Sequence, residues 1–539
     1  MWRMDRLGKI RHRAWLAIGV LAVLAVTPAA ARAGALPTGA PRVLRVGTYR
    51  GIGGSFKSVQ AAVDAARPGD WILIAPGDYR ENGSPSAAHP AGVYVTTPGI
   101  HIRGLDRNHT VIDGTRTGRS ACPSDAADQA LGPKDSAGQP AGRNGIWVEK
   151  ADAVSIENLT VCNFLTSAGG QQGNQIWWNG GDRSGKVGLG SYRGAFLTAS
   201  TSYTNHSTRP EGEYGIFVSN AKGPGTLVHT YASNMADSAY YVGACADCNA
   251  TIDDAHAEHS ALGFSGTNAG GHLIIENSTW DDNKSGIAPN VLNNDDAPPP
   301  QNGACPGTST EIGPGLSTGS ARHCTIIRGN TVVHNNDPNV PGSGIAGAAP
   351  VGTGIELSGT QNILVTGNTV ADNGAWGIVI HDYPDTETPP AVSHCQGGIG
   401  IGSLPLCYFQ AFGNEVAGNR LSHNGFFGNP GNADLADATA PHAPGNCFHD
   451  NLDKSGLTAW PATILTPLFA RCGTPNAGDV SVLTAQLVCD SGAFGSCPDL
   501  PMLTYPRSTG VTLIPVSFNQ PTMPNPCSGV PSNPWCAPA

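Results

Sequence analysis

A short internal repeat is the feature that most constrains what this chain can fold into. A small residue followed by an apolar one recurs along the chain, and between Gly215 and Gly286 the pairs follow each other with a period of roughly 23 residues. A single repeat of this length cannot bury its own apolar face, which predicts coils that stack on one another through parallel strands. The pairs are Gly145–Ile146, Gly215–Ile216, Ala239–Tyr240, Gly263–Phe264, Gly286–Ile287, Gly354–Ile355 and Gly377–Ile378.

A second marker is an asparagine followed by another asparagine five residues later. Asparagines that recur at one corner of stacked coils can hydrogen-bond from coil to coil through their side-chain amides. We therefore expect the first members of these pairs to share one corner. A β-propeller would need about twice this period. The pairs are Asn158/Asn163, Asn330/Asn335, Asn368/Asn373 and Asn419/Asn424, and Asn277 has Asp282 in the second place.

The segment SFKSVQAAVDAARPGDWILIAPGDYRE, residues 55–81, predicts a short amphipathic helix that ends before Pro68-Gly69, followed by a strand from Trp71. Over residues 42–425 the chain resembles the pectin lyase-like superfamily. The resemblance implies an all-β, right-handed, single-stranded parallel β-helix with an N-terminal capping helix. It implies about ten coils, each of which advances by one strand spacing along the axis. It implies little about activity, because that superfamily includes lyases, hydrolases, esterases, epimerases and non-catalytic proteins.

The ends of the chain differ from the repeats. Residues 1–33 are typical of a secretory signal peptide, with basic residues, an apolar run from Ala14 to Val26, and the small-x-small sequence Ala31-Arg32-Ala33. Residues 34–70 are predicted as the N-terminal strand and capping helix, and 71–425 as the β-helix. Residues 426–539 lose the repeat, are rich in proline and hold six cysteines. They are predicted as a disulfide-bonded cover and tail, with a separate binding module as the alternative.

Composition agrees with an exported protein. The 14 cysteines are an even number, as expected of disulfides in a secreted chain. A net charge of −10 without blocks of one sign argues against a nucleic-acid partner. No apolar run after the signal peptide approaches about 18 residues, so no membrane span is expected in the mature chain. We expect a secreted monomer that needs no cofactor.

Insertions between repeats are expected to form loops that flank a binding groove. The predicted loops are 164–213, 288–324, 337–353 and 382–410. Two of them contain a cysteine pair, and we predict the disulfides Cys305–Cys324 and Cys395–Cys407, because each loop would otherwise be a long unrestrained excursion.

Strand alternation predicts which side chains point outward if the apolar member of each pair points inward. The aromatic residues Trp147, Phe217 and Tyr241, together with Asn290, are candidate substrate-binding residues, since aligned aromatic rings can bind sugar rings. The alternative is that the aromatics pack under the 164–213 insertion. One outward column is Trp147, Phe217, Tyr241, Ser265, Ala288, Glu356 and Val379, and the next is Glu149, Ser219, Gly243, Thr267, Asn290, Ser358 and His381.

Glu356 and His381 are the candidate acid–base pair, because they lie on adjacent coils with Cα atoms on the order of 8 Å apart. Asp382 and Asp385 lie where the second long loop begins and are expected at the rim of the same groove. A solvated glutamate and an unrelated histidine at a loop edge are the alternative.

The segment DDAHAEHS, residues 253–260, contains carboxylates and two histidines, which are ligands for transition metals. Alternation sends His256 and His259 in different directions, and Asp254 lies one repeat before Asn277, so it fits the repeat pattern. We therefore predict no metal site. Cys245 and Cys248 are expected to form a local disulfide.

Two functions remain open on the sequence. One is an enzyme, a lyase or a hydrolase, acting on extracellular polysaccharide or a cell-envelope glycan. The other is a non-catalytic secreted or cell-surface scaffold or glycan-binding protein. The Asp-Pro-His-Glu motif of alginate epimerases is missing, and so is the Gly-His-Gly and Arg-Ile-Lys pair of polygalacturonases.

Overall fold

A computed structural model describes residues 39–81, 86, 88–182, 184–205, 210–293, 323, 325–385, 395, 398–400, 406–481 and 505–536. From Ala40 onward these residues belong to one compact unit. The predicted signal peptide, residues 1–33, lies outside the described residues. None of the helices in the described ranges has the length and hydrophobicity needed to cross a lipid bilayer.

One face of the molecule is a sheet of eleven strands, here called sheet 1, in which every neighbouring pair is parallel. Non-consecutive strands are neighbours, as in a chain that coils around an axis. With strands numbered in chain order, sheet 1 contains β6 (Ala91–Val95), β9 (Asn144–Glu149), β11 (Ile176–Asn179), β13 (Tyr214–Ser219), β15 (Ser238–Gly243), β17 (Leu262–Thr267), β20 (Ser285–Asn290), β23 (Thr353–Ser358), β26 (Trp376–His381), β32 (Ala433–Ala438) and β34 (Ala459–Trp460).

The rest of each coil forms sheet 2, of eighteen strands, whose pairs are also parallel. It contains β1 (Val43–Val46), β4 (Trp71–Ile74), β5 (Gly77–Tyr79), β7 (His101–Gly104), β8 (Thr110–Asp113), β10 (Val154–Cys162), β12 (Tyr192–Ser200), β14 (Gly225–Ser233), β16 (Cys245–Glu258), β18 (Ala269–Glu276), β19 (Thr279–Asp281), β21 (Thr325–Arg328), β22 (Thr331–Val333), β24 (Ile363–Thr366), β25 (Thr369–Ala371), β30 (Glu415–Ala417), β31 (Arg420–Ser422) and β33 (Cys447–His449). This pairing confirms the predicted all-β, parallel β-helix, and a right-handed turn is the one that parallel crossovers adopt.

The smaller elements lie at the end and on the flank of the coils. Strands β2 (Thr48–Tyr49) and β3 (Ile52–Gly53) form a hairpin, and β27 (Tyr383–Asp385), β29 (Cys407–Phe409) and β28 (Ile399–Gly400) form an antiparallel sheet. The helices are α1 (Val59–Ala65) and α2 (Gly344–Gly347), with 3₁₀ turns at Ala126–Asp128 and Ala462–Leu465. Helix α1 is the predicted capping helix. The Ser58 hydroxyl caps it by accepting from the Ala61 N–H, and Val59 and Val63 bury its apolar face.

The core is the column of apolar side chains that the repeat predicts to point inward. All seven are fully buried and stack from coil to coil in sheet 1. Burying a side chain of this size stabilises by about 1.5–3 kcal/mol, so the column is a main source of cohesion between coils. The seven are Ile146, Ile216, Tyr240, Phe264, Ile287, Ile355 and Ile378.

Segment 164–213, expected to be a loop, contains β11 and β12 and forms a coil of its own. Its inward residue, Ile176, pairs with Ile146 on one side and Ile216 on the other. The repeat marker missed this coil because Gln175, rather than a small residue, precedes Ile176. The Gln175 side chain is buried and donates to the Phe164 carbonyl.

The asparagine corner is confirmed for three of the five predicted members. The side chain of Asn330 donates to Asn368 Oδ1 at 3.0 Å, and that of Asn368 donates to Asn419 Oδ1 at 2.9 Å. Asn158 and Asn277 lie one position earlier, at the residue that makes the bend, with φ of 57° and 50°. Glycine takes this left-handed position in later coils, at Gly329, Gly367 and Gly418. In the Asn277 coil, Ser278 occupies the ladder position and its N–H donates to Asn330 Oδ1.

The coils continue beyond residue 425, the boundary expected from the sequence. Strand β32 pairs with β26, β33 pairs with β30, and β34 pairs with β32. These strands lack the small–apolar pair, which is why the sequence pattern ended early. The asparagine ladder continues into this coil, because Asn446 and Asn451 accept from the N–H groups of Asn414 and Asn419.

Residues 505–536, here called the C-terminal strap, run back along the coils without regular secondary structure. Asn234 and Ile514 exchange two hydrogen bonds between side-chain amide and backbone, and Asn108 and Gln520 do the same. At the N-terminal end, the Trp535 indole donates to the Ile52 carbonyl. Because the Thr509 N–H also donates to Asn339 Oδ1 at 2.8 Å, the tail predicted from the sequence is fastened to both halves of the β-helix.

Disulfides join Cys122–Cys162, Cys245–Cys248, Cys395–Cys407, Cys447–Cys472 and Cys527–Cys536. The predicted Cys395–Cys407 and Cys245–Cys248 bonds are confirmed. Cys305 and Cys324 lie outside the described residues, so their predicted pairing stays a prediction. The five bonds agree with an exported chain.

Candidate functional site

The structure brings Glu356 and His381 together. Glu356 is on β23 and His381 on β26, at outward positions offset by two residues. The His381 Nε2 atom lies 2.7 Å from Glu356 Oε1, and Nδ1 donates to the Asp382 carbonyl at 2.8 Å. Both ring nitrogens therefore have acceptors, which orients the imidazole and favours its protonated form.

The pair is buried rather than solvated: Glu356 is 6% exposed and His381 is 1% exposed. Burial alone would lower the pKa of His381, but the hydrogen bond and the negative charge of Glu356 outweigh it, so the pKa is raised. The pair is an imidazolium–carboxylate contact in low-dielectric surroundings. Glu356 is therefore not a solvated side chain, and it is in direct contact with His381.

Asp382 and Asp385, expected at a groove rim, are instead buried and bonded to backbone. Asp382 accepts from the N–H groups of Ala411 and Ala440, both at 2.8 Å, and from the Tyr408 hydroxyl at 2.7 Å. Asp385 Oδ2 accepts from the Asn293 N–H at 2.7 Å. These carboxylates hold the chain around the small β27–β29–β28 sheet beside the pair.

The predicted aromatic column exists and is longer than expected. Trp177 of β11 stacks between Trp147 and Phe217 with ring centroids 4.9 and 5.2 Å away and planes within 16° and 8° of parallel. Tyr94 and Tyr241 close the two ends with edge-to-face contacts. The inner rings therefore cover each other's faces, and their edges point outward. This arrangement favours packing over a platform on which sugar rings stack.

A row of polar side chains runs beside the aromatic column. Glu149 Oε2 accepts from the Trp147 indole at 2.9 Å and from Asn179 Nδ2 at 2.7 Å. The Ser219 hydroxyl donates to Asn179 Oδ1 and accepts from the Trp177 indole. The row orients the indole rings.

Asn290, predicted to bind substrate, lies on the same outward column as His381, two strands away from it. Its Oδ1 accepts from the Thr267 hydroxyl at 2.8 Å, and its Nδ2 donates to the Ala288 carbonyl at 3.1 Å. Its side-chain amide is therefore already bonded within sheet 1.

Sequence reasoning missed a second buried glutamate–histidine group, on sheet 2. Glu415 lies between His323 Nε2, 2.9 Å away, and His449 Nε2, 3.1 Å away. Their positions in the sequence give no signal, because His323 and Glu415 are 92 residues apart. The group is chemically similar to the Glu356–His381 pair.

Two further carboxylates have perturbed pKa values. Burial and the neighbouring charge of Asp113 raise the pKa of Asp78 to about 6. Burial raises the pKa of Asp437 to about 6, with a smaller contribution from the charge of Asp382. Asp437 points into the coil and accepts from Thr439, so its role is structural.

Two groups of histidine and carboxylate side chains on sheet 2 could hold a metal ion: His256, Glu258 and Asp281, and Glu258, His259 and Asp282. In each, the ligand atoms lie within 4.8 Å of one another. Hydrogen bonding accounts for most of these contacts, because His256 Nε2 pairs with Asp281 at 2.7 Å and the Tyr231 hydroxyl donates to Glu258. His256 and His259 have different carboxylate partners, as alternation predicted.

No protein-family model matches the chain, and no curated protein matches it. Solved structures with similar coils include the A-module of the mannuronan C-5 epimerase AlgE4 from Azotobacter vinelandii, with 11% identity, a TM-score of 0.41, and coverage of 73% of this chain and 89% of that one. An alginate lyase from Paenibacillus sp. str. FPU-7 has 16% identity, a TM-score of 0.37, and coverage of 71% and 98%. The tailspike protein of E. coli bacteriophage HK620, solved with a pentasaccharide, has 10% identity, a TM-score of 0.36, and coverage of 77% and 58%.

Proposed function

We propose that the protein is a secreted β-helix that cleaves an extracellular polysaccharide, as a hydrolase or a lyase, beside strands β23 and β26. The observation that carries the proposal is the 2.7 Å contact between Glu356 and His381. It places a carboxylate and an imidazolium, two groups able to exchange protons, at outward positions of neighbouring strands. In this proposal Glu356 transfers the proton and His381 holds it in place, while Asp382 and Asp385 position the surrounding chain.

The test is a degradation screen over neutral, acidic and amino polysaccharides, with new reducing ends and unsaturated products measured separately. Glu356→Gln should lower turnover by about 10²-fold or more, the usual effect of removing a general acid or base. The matched control is Glu415→Gln, which also removes the charge from a buried glutamate–histidine contact, but on sheet 2. The control should lose stability as Glu356→Gln does and keep its turnover.

Equal turnover in wild type and Glu356→Gln would remove Glu356 from the mechanism. A wild-type protein that binds a glycan without cleaving it would instead support the second function, a non-catalytic glycan-binding protein or cell-surface scaffold. In that case the intact pair stabilises the fold of the binding surface.

A further inference from the structure

Hydrogen bonding does not explain the second of the two histidine–carboxylate groups on sheet 2. In the first group, His256 Nε2 lies 2.7 Å from Asp281 Oδ1, so these side chains satisfy each other. In the second group, one ligand atom each of Glu258, His259 and Asp282 lies within 4.8 Å of the other two. Within the described part of the chain, no hydrogen bond joins these three side chains, and no residue donates one to the Asp282 carboxylate.

A bend of the backbone brings the second group together. Glu258 ends β16 and is paired with Asp281 of β19, so the next residues, His259 and Asp282, occupy the same place in neighbouring coils. Both have a left-handed backbone, each with φ of 50°. Strand alternation, from which the sequence predicts no metal site, therefore does not extend to His259 and Asp282.

An additional carboxylate orients the imidazole of His259. His259 Nδ1 lies 3.5 Å from Asp337 Oδ2, which leaves Nε2 for another partner. Histidines that bind metal ions almost always donate their other ring N–H to a carboxylate, a carbonyl or water in this way. The contact with Asp337 raises the pKa of His259, so a metal ion must replace the proton on Nε2 when it binds.

We propose that Glu258, His259 and Asp282 bind a divalent transition-metal ion, Zn²⁺ in particular, with Asp337 as the orienting carboxylate. Two carboxylate oxygens and one imidazole nitrogen suit Zn²⁺ and leave its fourth position for water. Ca²⁺ takes six to eight oxygen ligands, so it should bind much more weakly here.

The surroundings of the group favour a bound cation. Burial and the negative charge of Asp281 raise the pKa of Asp282, and a cation would offset this repulsion between carboxylates. The Tyr231 hydroxyl donates to Glu258 Oε1, which leaves Oε2 for the ion. Zinc bonds of about 2.0–2.2 Å place ligand atoms roughly 3.3 Å apart. Glu258, His259 and Asp282 are all partly exposed, so rotation of their side chains can close the remaining distance.

The proposed site lies where the C-terminal strap is attached to the coils. The Asn234 N–H donates to the His259 carbonyl at 3.1 Å, and the Asn234 side chain donates to the Ile514 carbonyl of the strap. Asn339, two residues after Asp337, accepts from the Thr509 N–H of the strap. A metal ion that joins two coils here would therefore stabilise the region that holds the strap.

The test is calorimetric titration of the full mature chain, prepared without a histidine tag and freed of metals with a chelator, with Zn²⁺ and with Ca²⁺. We expect one equivalent of Zn²⁺ to bind, with an affinity at least about 100-fold higher than that for Ca²⁺. Asp337→Asn should weaken Zn²⁺ binding by about 10- to 100-fold, the usual effect of losing an orienting partner, and His259→Gln by at least as much. Zn²⁺ should also raise the melting temperature of the wild type.

His256→Gln is the matched control, because it removes the other histidine of β16 and its contact with a carboxylate. This control should keep the wild-type affinity for Zn²⁺. Asp282→Asn keeps the size of the side chain, so circular dichroism together with titration separates the loss of a ligand from the loss of the fold. The inference is overturned if the wild type does not bind one Zn²⁺, if Ca²⁺ binds as tightly, or if His256→Gln weakens binding as much as His259→Gln does.

Discussion

Replacing Asn368 should show how much a single member of the asparagine ladder stabilises the β-helix. The side chain is fully buried and makes four hydrogen bonds. Its Oδ1 accepts from the N–H and from Nδ2 of Asn330, at 2.9 and 3.0 Å. Its Nδ2 donates to the Ile327 carbonyl and to Asn419 Oδ1, at 3.0 and 2.9 Å. One amide therefore links three successive coils.

The cost of Asn368→Gly follows from which groups lose their partners. The Asn330 N–H loses the acceptor it has in the structure, while Asn330 Nδ2 still donates to Ile275. A buried donor left unpaired costs about 1–3 kcal/mol, and each further hydrogen bond lost costs about 0.5–1.5 kcal/mol net. The expected loss is roughly 3–6 kcal/mol in the free energy of unfolding.

Asn277→Gly is the matched control, because Asn277 and Asn368 have the same place in the sequence repeat but different positions in the structure. Asn277 adopts φ of 50°, and its side chain makes one exposed hydrogen bond, to Asp253. Glycine adopts the left-handed backbone conformation without strain, and this gain offsets the lost hydrogen bond. The free energy of unfolding of the variant should therefore differ from that of wild type by less than about 1 kcal/mol. Urea unfolding followed by circular dichroism measures both. Equal losses in the two variants, or a loss below about 1 kcal/mol for Asn368→Gly, would refute the ladder as a source of stability.

Two further predictions concern stability away from the ladder. The pKa of Asp437 in the folded protein, about 6, is above its ordinary value of 3.8. The stability that its protonated carboxyl group provides is therefore present in acid and is lost as the pH rises through about 6. The Asp437→Asn variant should therefore become more stable relative to wild type as the pH rises from about 4 to 7, by up to roughly 3 kcal/mol in the free energy of unfolding. The melting temperatures of the two proteins measure this gain. A constant difference between them across that pH range would contradict the prediction. Trp535→Ala, which empties a site only 2% exposed, should cost about 3–5 kcal/mol. Phe518→Ala, on an exposed part of the strap, should cost little, and equal losses in the two would show that the strap is not anchored through Trp535.

The inward column and its outward neighbours could be predicted from sequence because strand alternation has a fixed period of two. Once Ile355 and Ile378 point inward, Glu356 must point outward and His381 must lie near it. The burial of that pair could not be predicted, since it depends on segments without a repeat. The partners of Asp382, for example, are Ala411 and Ala440, 29 and 58 residues further along the chain.

The aromatic column shows a second limit of the same reasoning. Alternation places Trp147 and Phe217 outward, but ring orientation depends on what lies between them. That residue is Trp177, and its presence converts a surface of ring faces into a stack that shows edges. The missing small residue before Ile176 hid both the coil and its consequence for sugar binding.

The two glutamate–histidine groups have similar local chemistry. Only their positions in the fold can show which of them belongs to the functional site. Glu415, with side chains of His323 and His449 around it, is at least as buried as Glu356, and its contacts are 2.9 and 3.1 Å against 2.7 Å for Glu356. A buried carboxylate next to an imidazole is stable in a fold without any catalytic role, since each group offsets the desolvation of the other. What distinguishes Glu356 is its outward place on sheet 1, whereas Glu415 lies on sheet 2. If only Glu356→Gln lowers turnover, the position of the group on sheet 1 decides its function. If both variants lose only stability, both groups serve the fold.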